Sequence, residues 1–342
     1  MSRSRLRLAA FVLVSLAATP PAAGAAPPAG TYGAHLGSHS MVYLNTPLEQ
    51  QEAMFRATAE AGVGQLRMDF AIGIVFPREG ADFTAVERVN AFAGAYAVDV
   101  LGVITTTPWY LGECPGGATQ YAERCAPAVR YERRWRRMVA RVVRHAPNVR
   151  HWELGNEPDG FGFVGGPHEY ARWASLAAGG IRAARPDATI ALGGLAHASD
   201  PFVGQVLGDA THPLLGVIDV ANVHVRGTLA SLRLAVADAR ALFSRHGFSG
   251  PLWVTETGYP AKPGHQWDPA FKGGPRDQAR YLARGLRALI GAGVQDVFVT
   301  FRDTREFGRQ SPFSSEGVLQ WPIRRKPAYW AVRRLAAKPC GC

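Results

Sequence analysis

The chain has 342 residues, of which 47% are hydrophobic and 19% are charged, and this usage excludes disordered and fibrous proteins. The formal net charge is +11, and 34 of the 38 basic residues are arginines. These arginines are scattered over predicted helices without a basic run, so they predict solvated helix faces and no nucleic-acid partner. The positive excess fits two interpretations equally: long-range attraction of an anionic polymer, or a compositional preference for arginine.

The first 25 residues have the organisation of a signal peptide. An apolar stretch at residues 8–18 follows three arginines and precedes the small-residue pattern Ala23-Gly24-Ala25, so cleavage after Ala25 is expected. The three arginines are Arg3, Arg5 and Arg7. Their removal lowers the net charge from +11 to +8. No later stretch has the ~18–20 apolar residues of a membrane span, so the sequence predicts a secreted protein without a stable membrane anchor.

Short apolar, β-branched runs alternate with helix-like stretches through the rest of the chain. The predicted strands cover residues 32–36, 65–70, 99–105, 150–154, 189–193, 217–225, 252–255 and 296–301. The predicted helices cover residues 47–61, 83–96, 130–145, 167–184, 201–209, 229–245, 275–290 and 327–335. Eight such units predict an α/β fold, a single (β/α)8 TIM barrel over residues 31–342, after a short Ala/Pro tail at 26–30. A doubly wound sheet is the alternative, but the G-x-G-x-x-G turn expected after its first strand is missing.

The four cysteines fall into two groups. Cys114 and Cys125 lie eleven positions apart in a stretch rich in Gly, Pro and Ala, which predicts a small disulfide-closed loop in an oxidising compartment. Cys340 and Cys342 form a Cys-x-Cys tail whose pairing the sequence leaves open: with each other, elsewhere, or not at all. Neither pair has the spacing of a structural zinc site.

Two predicted strands end in a glutamate where a barrel strand opens into its loop. Glu157 follows the fourth strand and Glu256 ends the seventh. In a (β/α)8 barrel the working residues lie at these strand ends, so the two carboxylates are expected to face one pocket. Such a pair suits cleavage of a glycosidic acetal, because one carboxylic acid protonates the departing oxygen while the other carboxylate attacks or stabilises the anomeric carbon.

With Asn156-Glu157-Pro158 after the fourth strand and Thr255-Glu256 at the seventh, the chain resembles the retaining glycoside hydrolase clan built on (β/α)8 barrels. The resemblance implies Glu157 as acid/base and Glu256 as nucleophile in a secreted retaining glycosidase. Within the clan it is similar to bacterial β-xylosidases and exopolysaccharide hydrolases, of the family 39 or family 5 type. Four segments carry that similarity: Thr107-Pro108-Trp109, Phe301-Arg302-Asp303, Glu316-Gly317-Val318-Leu319 and Arg325-Lys326-Pro327-Ala328-Tyr329.

The resemblance also implies a set of substrate-binding and supporting residues. Arg67 matches the clan's arginine on strand two and is expected to keep the nucleophile ionised. Asn156 is expected to donate its amide to the sugar 2-hydroxyl. Strand alternation places Glu153 inside the barrel below Glu157, with Arg67 as its candidate partner.

The sixth strand departs from the clan pattern. His224 matches the clan's histidine there, but Arg226 stands where a tyrosine usually bonds the nucleophile. Arg226 either replaces that tyrosine or points away, and Tyr259 is a second candidate for the contact with Glu256.

Aromatic residues are expected around the mouth of the barrel as platforms for sugar rings. Phe301 fills the position of the clan's strand-eight tryptophan, and Trp109 and Trp267 are the favoured loop platforms. Packing of loops against the barrel is the alternative interpretation of each loop aromatic.

The partners predicted from the sequence are limited to a polysaccharide or oligosaccharide substrate. No metal or organic cofactor is implied, since His35 and His39 straddle a glycine-containing loop and form no ligand pattern on a helix. A monomer is expected. A non-catalytic glycan-binding barrel of the cell surface is the alternative function, although such a barrel would typically have lost one of the two carboxylates. The sugar, its linkage and endo or exo action stay open, because barrel loops and not the fold set specificity.

Overall fold

The computed structural model describes residues 36–304 and 308–338. The predicted signal peptide (1–25), the Ala/Pro tail (26–30), and Cys340 and Cys342 lie outside these residues. Within the described part, strands and helices alternate along the chain. The strands are β1 Leu36–Tyr43, β2 Gln65–Ala71, β3 Asp99–Thr105, β4 His151–Asn156, β5 Thr189–Gly194, β6 Ala221–His224, β7 Leu252–Thr257, β8 Val297–Thr300, β9 Leu319–Gln320 and β10 Arg324–Arg325.

The helices lie between these strands. They are α1 Leu48–Glu60, α2 Ile72–Val75, α3 Thr84–Tyr96, α4 Glu132–Arg144, α5 Pro167–Ala184, α6 Asp200–Leu207, α7 Leu229–Arg245, α8 Pro275–Gly291 and α9 Pro327–Ala336. Three of them, α5, α8 and α9, begin with proline, whose fixed φ suits the first helical position and whose missing N–H is not needed there. No helix in the described ranges is long and apolar enough to cross a membrane.

The first eight strands form one parallel sheet that closes on itself. The strand order is β5-β4-β3-β2-β1-β8-β7-β6. Isolated parallel bridges join the two remaining edges, pairing Ala191 with Val220 and Leu195 with Val223. The predicted (β/α)8 barrel is therefore confirmed, and the doubly wound alternative is wrong because such a sheet stays open.

Most element positions follow the prediction, but the first strand and the last loop do not. The first strand is predicted at 32–36, of which 32–35 lie outside the described residues; β1 spans Leu36–Tyr43, where the consecutive polar residues Ser38 and His39 interrupt the apolar pattern. The β9–β10 hairpin after β8 was not predicted, since two-residue strands leave no periodic pattern. The predicted Cys114–Cys125 disulfide is present in the loop between β3 and α4.

The interior of the barrel is apolar at its base and polar above it. The basal cluster consists of Leu101, Ala191, Val220, Trp253 and Phe298. Above it, toward the carboxyl ends of the strands, lie the fully buried Arg67, Glu153, Asn222 and Thr255. Buried polar groups are tolerated only when hydrogen-bonded, and here they pair with one another. The residues at the carboxyl ends of the strands lie directly above this polar layer.

Candidate active site

The two predicted glutamates meet at the carboxyl-end mouth of the barrel. Glu256 lies within β7, and Glu157 directly follows β4. One carboxylate oxygen from each residue and a ring nitrogen of His224 all lie within 4.8 Å of one another. This separation matches the short distance of about 5–5.5 Å that retaining glycosidases have between their carboxyl groups, and it is too short for the inverting arrangement.

The backbone at Glu157 has an uncommon conformation. Its φ is 45°, in the left-handed region that non-glycine residues seldom adopt, and Gly155 two residues earlier has a φ of 89°. The Glu157 N–H donates to the carbonyl of Gly194 at 3.0 Å, and the Glu157 carbonyl accepts from Gly160 at 3.0 Å. The surroundings thus hold a backbone geometry that is strained for glutamate, as is frequent where a side chain must be placed for function.

Arg67 is the central positioning residue of the site. Its Nε and Nη2 donate to the two oxygens of Glu153 at 2.7 and 2.8 Å. Nη2 also donates to Asn156 Oδ1 at 2.7 Å, and Nη1 donates to His39 Nδ1 at 3.0 Å and to Glu256 Oε1 at 2.9 Å. All five guanidinium N–H groups are therefore used, and the planar fork fixes four side chains relative to one another.

Glu256 is a buried carboxylate in a cationic setting. Its side chain is 8% exposed, and Arg67 and Arg226 each donate to one of its oxygens. Burial alone would raise the pKa of Glu256, but His224, His39, Arg67 and Arg226 together outweigh burial and hold that pKa well below its usual range. Glu256 is consequently ionised at neutral pH, the state that a nucleophile requires.

His39 is a neutral polar neighbour of Glu256. Burial, with Arg67 nearby, lowers the pKa of His39 to about 3 although Glu256 opposes the shift. Because Arg67 can only donate, His39 Nδ1 is the acceptor and its proton resides on Nε2. Nε2 lies 3.4 Å from Glu256 Oε1, so strand one supplies a further polar contact to this carboxylate.

Arg226, whose orientation the sequence leaves open, faces the site. Its Nη2 donates to Glu256 Oε2 at 3.1 Å, and its Nε donates to Glu316 Oε1 at 2.8 Å. Thr300 Oγ1 donates to Glu316 Oε2 at 2.9 Å. The sequence leaves open whether Arg226 contacts Glu256 or points away from it. In the structure it contacts Glu256, and Glu316 holds the guanidinium in that position.

Glu157 has a different environment from Glu256. Its side chain is 17% exposed, and its Oε1 lies 2.9 Å from His224 Nδ1. The imidazole can donate to an ionised Glu157 or accept from a protonated one, depending on its tautomer. The contact therefore accommodates Glu157 in both protonation states, as an acid/base residue requires.

Glu157, His224 and Glu256 also have the donor atoms of a divalent metal site. Two guanidinium groups already donate to Glu256, and a metal cation placed beside them would meet strong repulsion. The surroundings favour a carboxylate pair over a metal centre.

The cleft above the two glutamates is lined by residues from several strand ends. Asn156 lies at its wall, and since its Oδ1 accepts from Arg67, its amide NH₂ is available to a ligand. Two aromatic residues, Phe161 and Phe313, line the same cleft, and Phe161 is 61% exposed. These two rings are the aromatic surfaces nearest the carboxylate pair among the cleft-lining residues.

Two predicted site residues lie elsewhere. Phe301 is fully buried and its ring packs on Tyr329 at 6.0 Å, because strand alternation turns Thr300 and Arg302 toward the cleft instead. The expectation of a sugar platform at Phe301 is thus wrong. Tyr259 is also fully buried, and its hydroxyl donates to the carbonyl of Asp268 at 3.0 Å, so it does not supply the predicted contact with Glu256.

The two loop tryptophans have different surroundings. Trp109 is 57% exposed on the loop after β3, with the Arg78 guanidinium 5.8 Å from its ring. Trp267 is half-buried, and its ring centroid lies 6.3 Å from that of Phe313. Trp267 therefore packs against a cleft-lining ring. Direct stacking of either tryptophan on a sugar ring remains a prediction.

His39, Glu316 and Phe313 are site residues that sequence patterns missed. The sequence pattern predicts a first strand that ends at residue 36, whereas His39 lies within β1, and this difference hides it from the search for strand-end residues. Glu316 and Phe313 belong to the long segment between β8 and α9. Their approach to the cleft depends on the path of that loop, for which the sequence carries no periodic signal.

Solved structures with this fold were found, although no protein-family model and no curated protein matches the chain. A family 39 glycoside hydrolase from Bacteroides cellulosilyticus WH2 aligns with 91% of this chain and 65% of its own, at 17% identity and a TM-score of 0.68. A glucosidase from Croceicoccus marinus aligns with 90% of this chain and 68% of its own, at 17% identity and a TM-score of 0.67.

A fungal β-1,4-galactanase aligns with 87% of this chain and 99% of its own, at 14% identity and a TM-score of 0.65. The chain thus spans less than two thirds of the family 39 enzyme and almost all of the galactanase. At these identities the likeness establishes the fold: the chain is similar in fold to (β/α)8-barrel glycoside hydrolases.

Proposed function

We propose that this protein is a retaining glycoside hydrolase that cleaves O-glycosidic bonds of a polysaccharide or oligosaccharide. The single observation that carries the proposal is the pair of strand-end carboxylates, Glu157 and Glu256, whose oxygens approach within 4.8 Å. The short separation favours double displacement with retention of anomeric configuration. The fold likeness to glycoside hydrolases supports the same assignment.

The environments of the two carboxylates support distinct roles. Glu256 is the nucleophile, because Arg67 and Arg226 keep it ionised and hold both of its oxygens. Glu157 is the acid/base, because it is more exposed and its partner His224 suits either protonation state.

The reaction proceeds in two balanced steps. In the first, a Glu256 oxygen forms a bond to the anomeric carbon while the glycosidic C–O bond breaks and Glu157 transfers its proton to the departing oxygen. In the second, water attacks the same carbon, gives its proton to Glu157, and the ester bond to Glu256 breaks. The amide NH₂ of Asn156 is placed to donate to a sugar hydroxyl through both steps.

Export from the cell is part of the proposal. The N-terminal Arg-then-apolar segment with Ala23-Gly24-Ala25 supports a cleaved signal peptide. The Cys114–Cys125 disulfide supports an oxidising destination, where such bonds persist. N-terminal sequencing of secreted protein is expected to begin at Ala26; a start at Met1 in the medium would contradict cleavage.

Nucleophile rescue tests the roles directly. Glu256→Ala is expected to abolish hydrolysis across a glycan panel, and azide is expected to restore turnover as a glycosyl azide of inverted configuration. Glu157→Gln is expected to lose activity with natural leaving groups. Glu79→Gln, which removes an exposed carboxylate from the loop before α3, is the matched control and keeps wild-type rates.

Product stereochemistry separates the possible outcomes. NMR of the first-formed sugar is expected to show retained configuration, and inversion would overturn the double-displacement mechanism. Full activity in Glu157→Gln or Glu256→Gln would overturn the assignment of roles. Tight glycan binding with no product release from any polysaccharide would support the non-catalytic glycan-binding barrel instead.

A further inference from the structure

A second, larger cavity adjoins the catalytic cleft on the same face of the barrel. Its volume is about 640 Å³, and its walls come from the loops after β7 and β8 and from the β9–β10 hairpin. Thr304 lines both this cavity and the cleft that contains Glu157 and Glu256. A ligand seated over the two glutamates can therefore extend past Thr304 into the second cavity, whose size is typical of ligand sites.

The lining of this cavity is strongly basic. Among the described residues, five basic side chains and a single acidic one, Asp303, line it. The basic residues are Lys262, Arg309, Arg324, Arg325 and Lys326. Two of them have carboxylate partners: Lys326 Nζ lies 2.7 Å from Asp303 Oδ1, and Arg325 pairs with Glu60.

The remaining three cations have no ion pair with any residue in the described ranges. Lys262 Nζ donates only to neutral oxygens, Gln310 Oε1 at 2.6 Å and the carbonyl of Arg309 at 3.2 Å. Arg309 and Arg324 are exposed at the cavity wall. Among the residues that the structure describes, no carboxylate pairs with these three cations.

A third cavity, formed by the segments after β5 and β6 and by α7, shares Glu157 and Arg226 with the cleft and differs in charge from the basic cavity. This cavity of about 530 Å³ is lined by Glu157 and His224, and by Asp200, Asp238 and Arg245, so acidic and basic groups are mixed there. Glu157 protonates the leaving oxygen under the proposed function, which places the leaving group at this third cavity. Under the same proposal, the basic cavity, which Glu157 does not line, receives the sugar units that stay bonded to Glu256 during the first step.

We infer that the basic cavity is a subsite for a sugar unit that carries an anionic group, and hence that the substrate is an acidic polysaccharide. The inference rests on the proposed function for the direction of the chain. Guanidinium and ammonium groups form charge-assisted hydrogen bonds with carboxylate or sulfate oxygens. Trp321, half-buried in the same wall, offers an aromatic side chain beside these cations.

Matched oligosaccharides test this subsite. The probes are cellohexaose, its C6-carboxylated and C6-sulfated counterparts, and the β-1,4-mannan and β-1,4-mannuronan hexamers, titrated calorimetrically into Glu256→Gln protein. At least one anionic hexamer is expected to bind about tenfold more tightly than its neutral counterpart, and the gain is expected to vanish in 0.5 M NaCl. A gain confined to one anionic group identifies that group as carboxylate or sulfate.

Variants connect the gain to the cavity. Arg309→Gln combined with Arg324→Gln is expected to remove most of the anionic preference and to leave affinity for the neutral hexamer unchanged. Arg233→Gln, which removes an exposed charge on α7, is the control and retains the preference. Equal affinity for neutral and anionic hexamers, or a preference that survives the double variant, would overturn the subsite.

Hydrolysis assays keep the two proposals separate. Release of neutral sugars by wild-type protein without any anionic preference would leave the glycosidase standing and overturn the subsite. A salt-sensitive anionic preference that the double variant removes, in protein that hydrolyses no glycan, would support the subsite and overturn the glycosidase.

Discussion

Arg226 donates a hydrogen bond to Glu256 at 3.1 Å, so the segment after β6 places a permanent cation beside the carboxylate that β7 presents. A tyrosine at this place could donate a hydrogen bond but would carry no positive charge. Glu316 accepts from the same guanidinium at 2.8 Å and prevents it from turning away. The low pKa of Glu256 therefore depends partly on a residue that departs from the clan pattern.

Replacing Arg226 is expected to shift the acid limb of the pH–rate profile. Under the proposed mechanism, activity requires ionised Glu256, so activity is present above the pKa of that group and is lost as the pH falls through it. Arg226→Met with Glu316→Gln removes the cation without leaving a buried charge, and the acid limb of kcat/KM is expected to move to higher pH. Arg226→Lys, which keeps a charge, should show a smaller movement; an unchanged limb in the double variant would contradict the electrostatic role.

Arg67 is expected to matter as much for stability as for catalysis. Arg67→Met leaves Glu153 fully buried without its ion-pair partner, an arrangement that costs about 3–5 kcal/mol of folding free energy. Urea unfolding measures this loss. Adding Glu153→Gln to Arg67→Met should recover part of the stability but none of the activity, because Glu256 and Asn156 still lack their shared donor. An equal loss of unfolding free energy in Arg67→Met and in the double variant would show that the unpaired Glu153 carboxylate does not cause the loss.

His39 is expected to make folding stability depend on pH. Its pKa is about 3 in the folded protein against 6.5 for a free histidine, so the unfolded chain takes up a proton that the folded chain does not. Stability is therefore lost as the pH falls below 6.5, by about 2 kcal/mol between pH 7.5 and 5 for this one group. His39→Gln should flatten this part of the profile, measured by urea unfolding at both pH values. A wild-type slope in the variant would contradict neutral burial of His39.

The sequence predicts the site residues that lie at the ends of strands and misses those that lie in long loops. Glu157 and Glu256 follow recognisable strands, so the (β/α)8 topology alone brings them to one mouth. The sugar platform predicted at Phe301 is wrong because neighbouring residues of a strand point to opposite faces of the sheet. An error of one residue in the position of the strand therefore exchanges the side chains that face the cleft with those that face the helices. Glu316 and Phe313 come from a long loop whose path is set by tertiary contacts such as that of Glu316 with Arg226.

Gly194 offers a test of whether the position of His224 matters for the reaction. A Cβ at Gly194 would lie 2.1 Å from His224 Nε2 and 2.8 Å from Thr255 Oγ1, so the imidazole must move. Because His224 Nδ1 contacts Glu157 at 2.9 Å and its side chain is 2% exposed, the displacement is expected to disturb the acid/base residue.

Gly194→Ala should therefore lower kcat by about 10²-fold, the order of loss that misplaced catalytic groups cause. The fold, followed by circular dichroism and thermal unfolding, should persist. Gly291→Ala, at the end of α8 with no atom within 4 Å of the new Cβ, is the matched control and keeps wild-type activity. Rescue of Gly194→Ala by leaving groups that need no proton would locate the defect at Glu157, whereas an equal deficit with all leaving groups would place it at Glu256 instead.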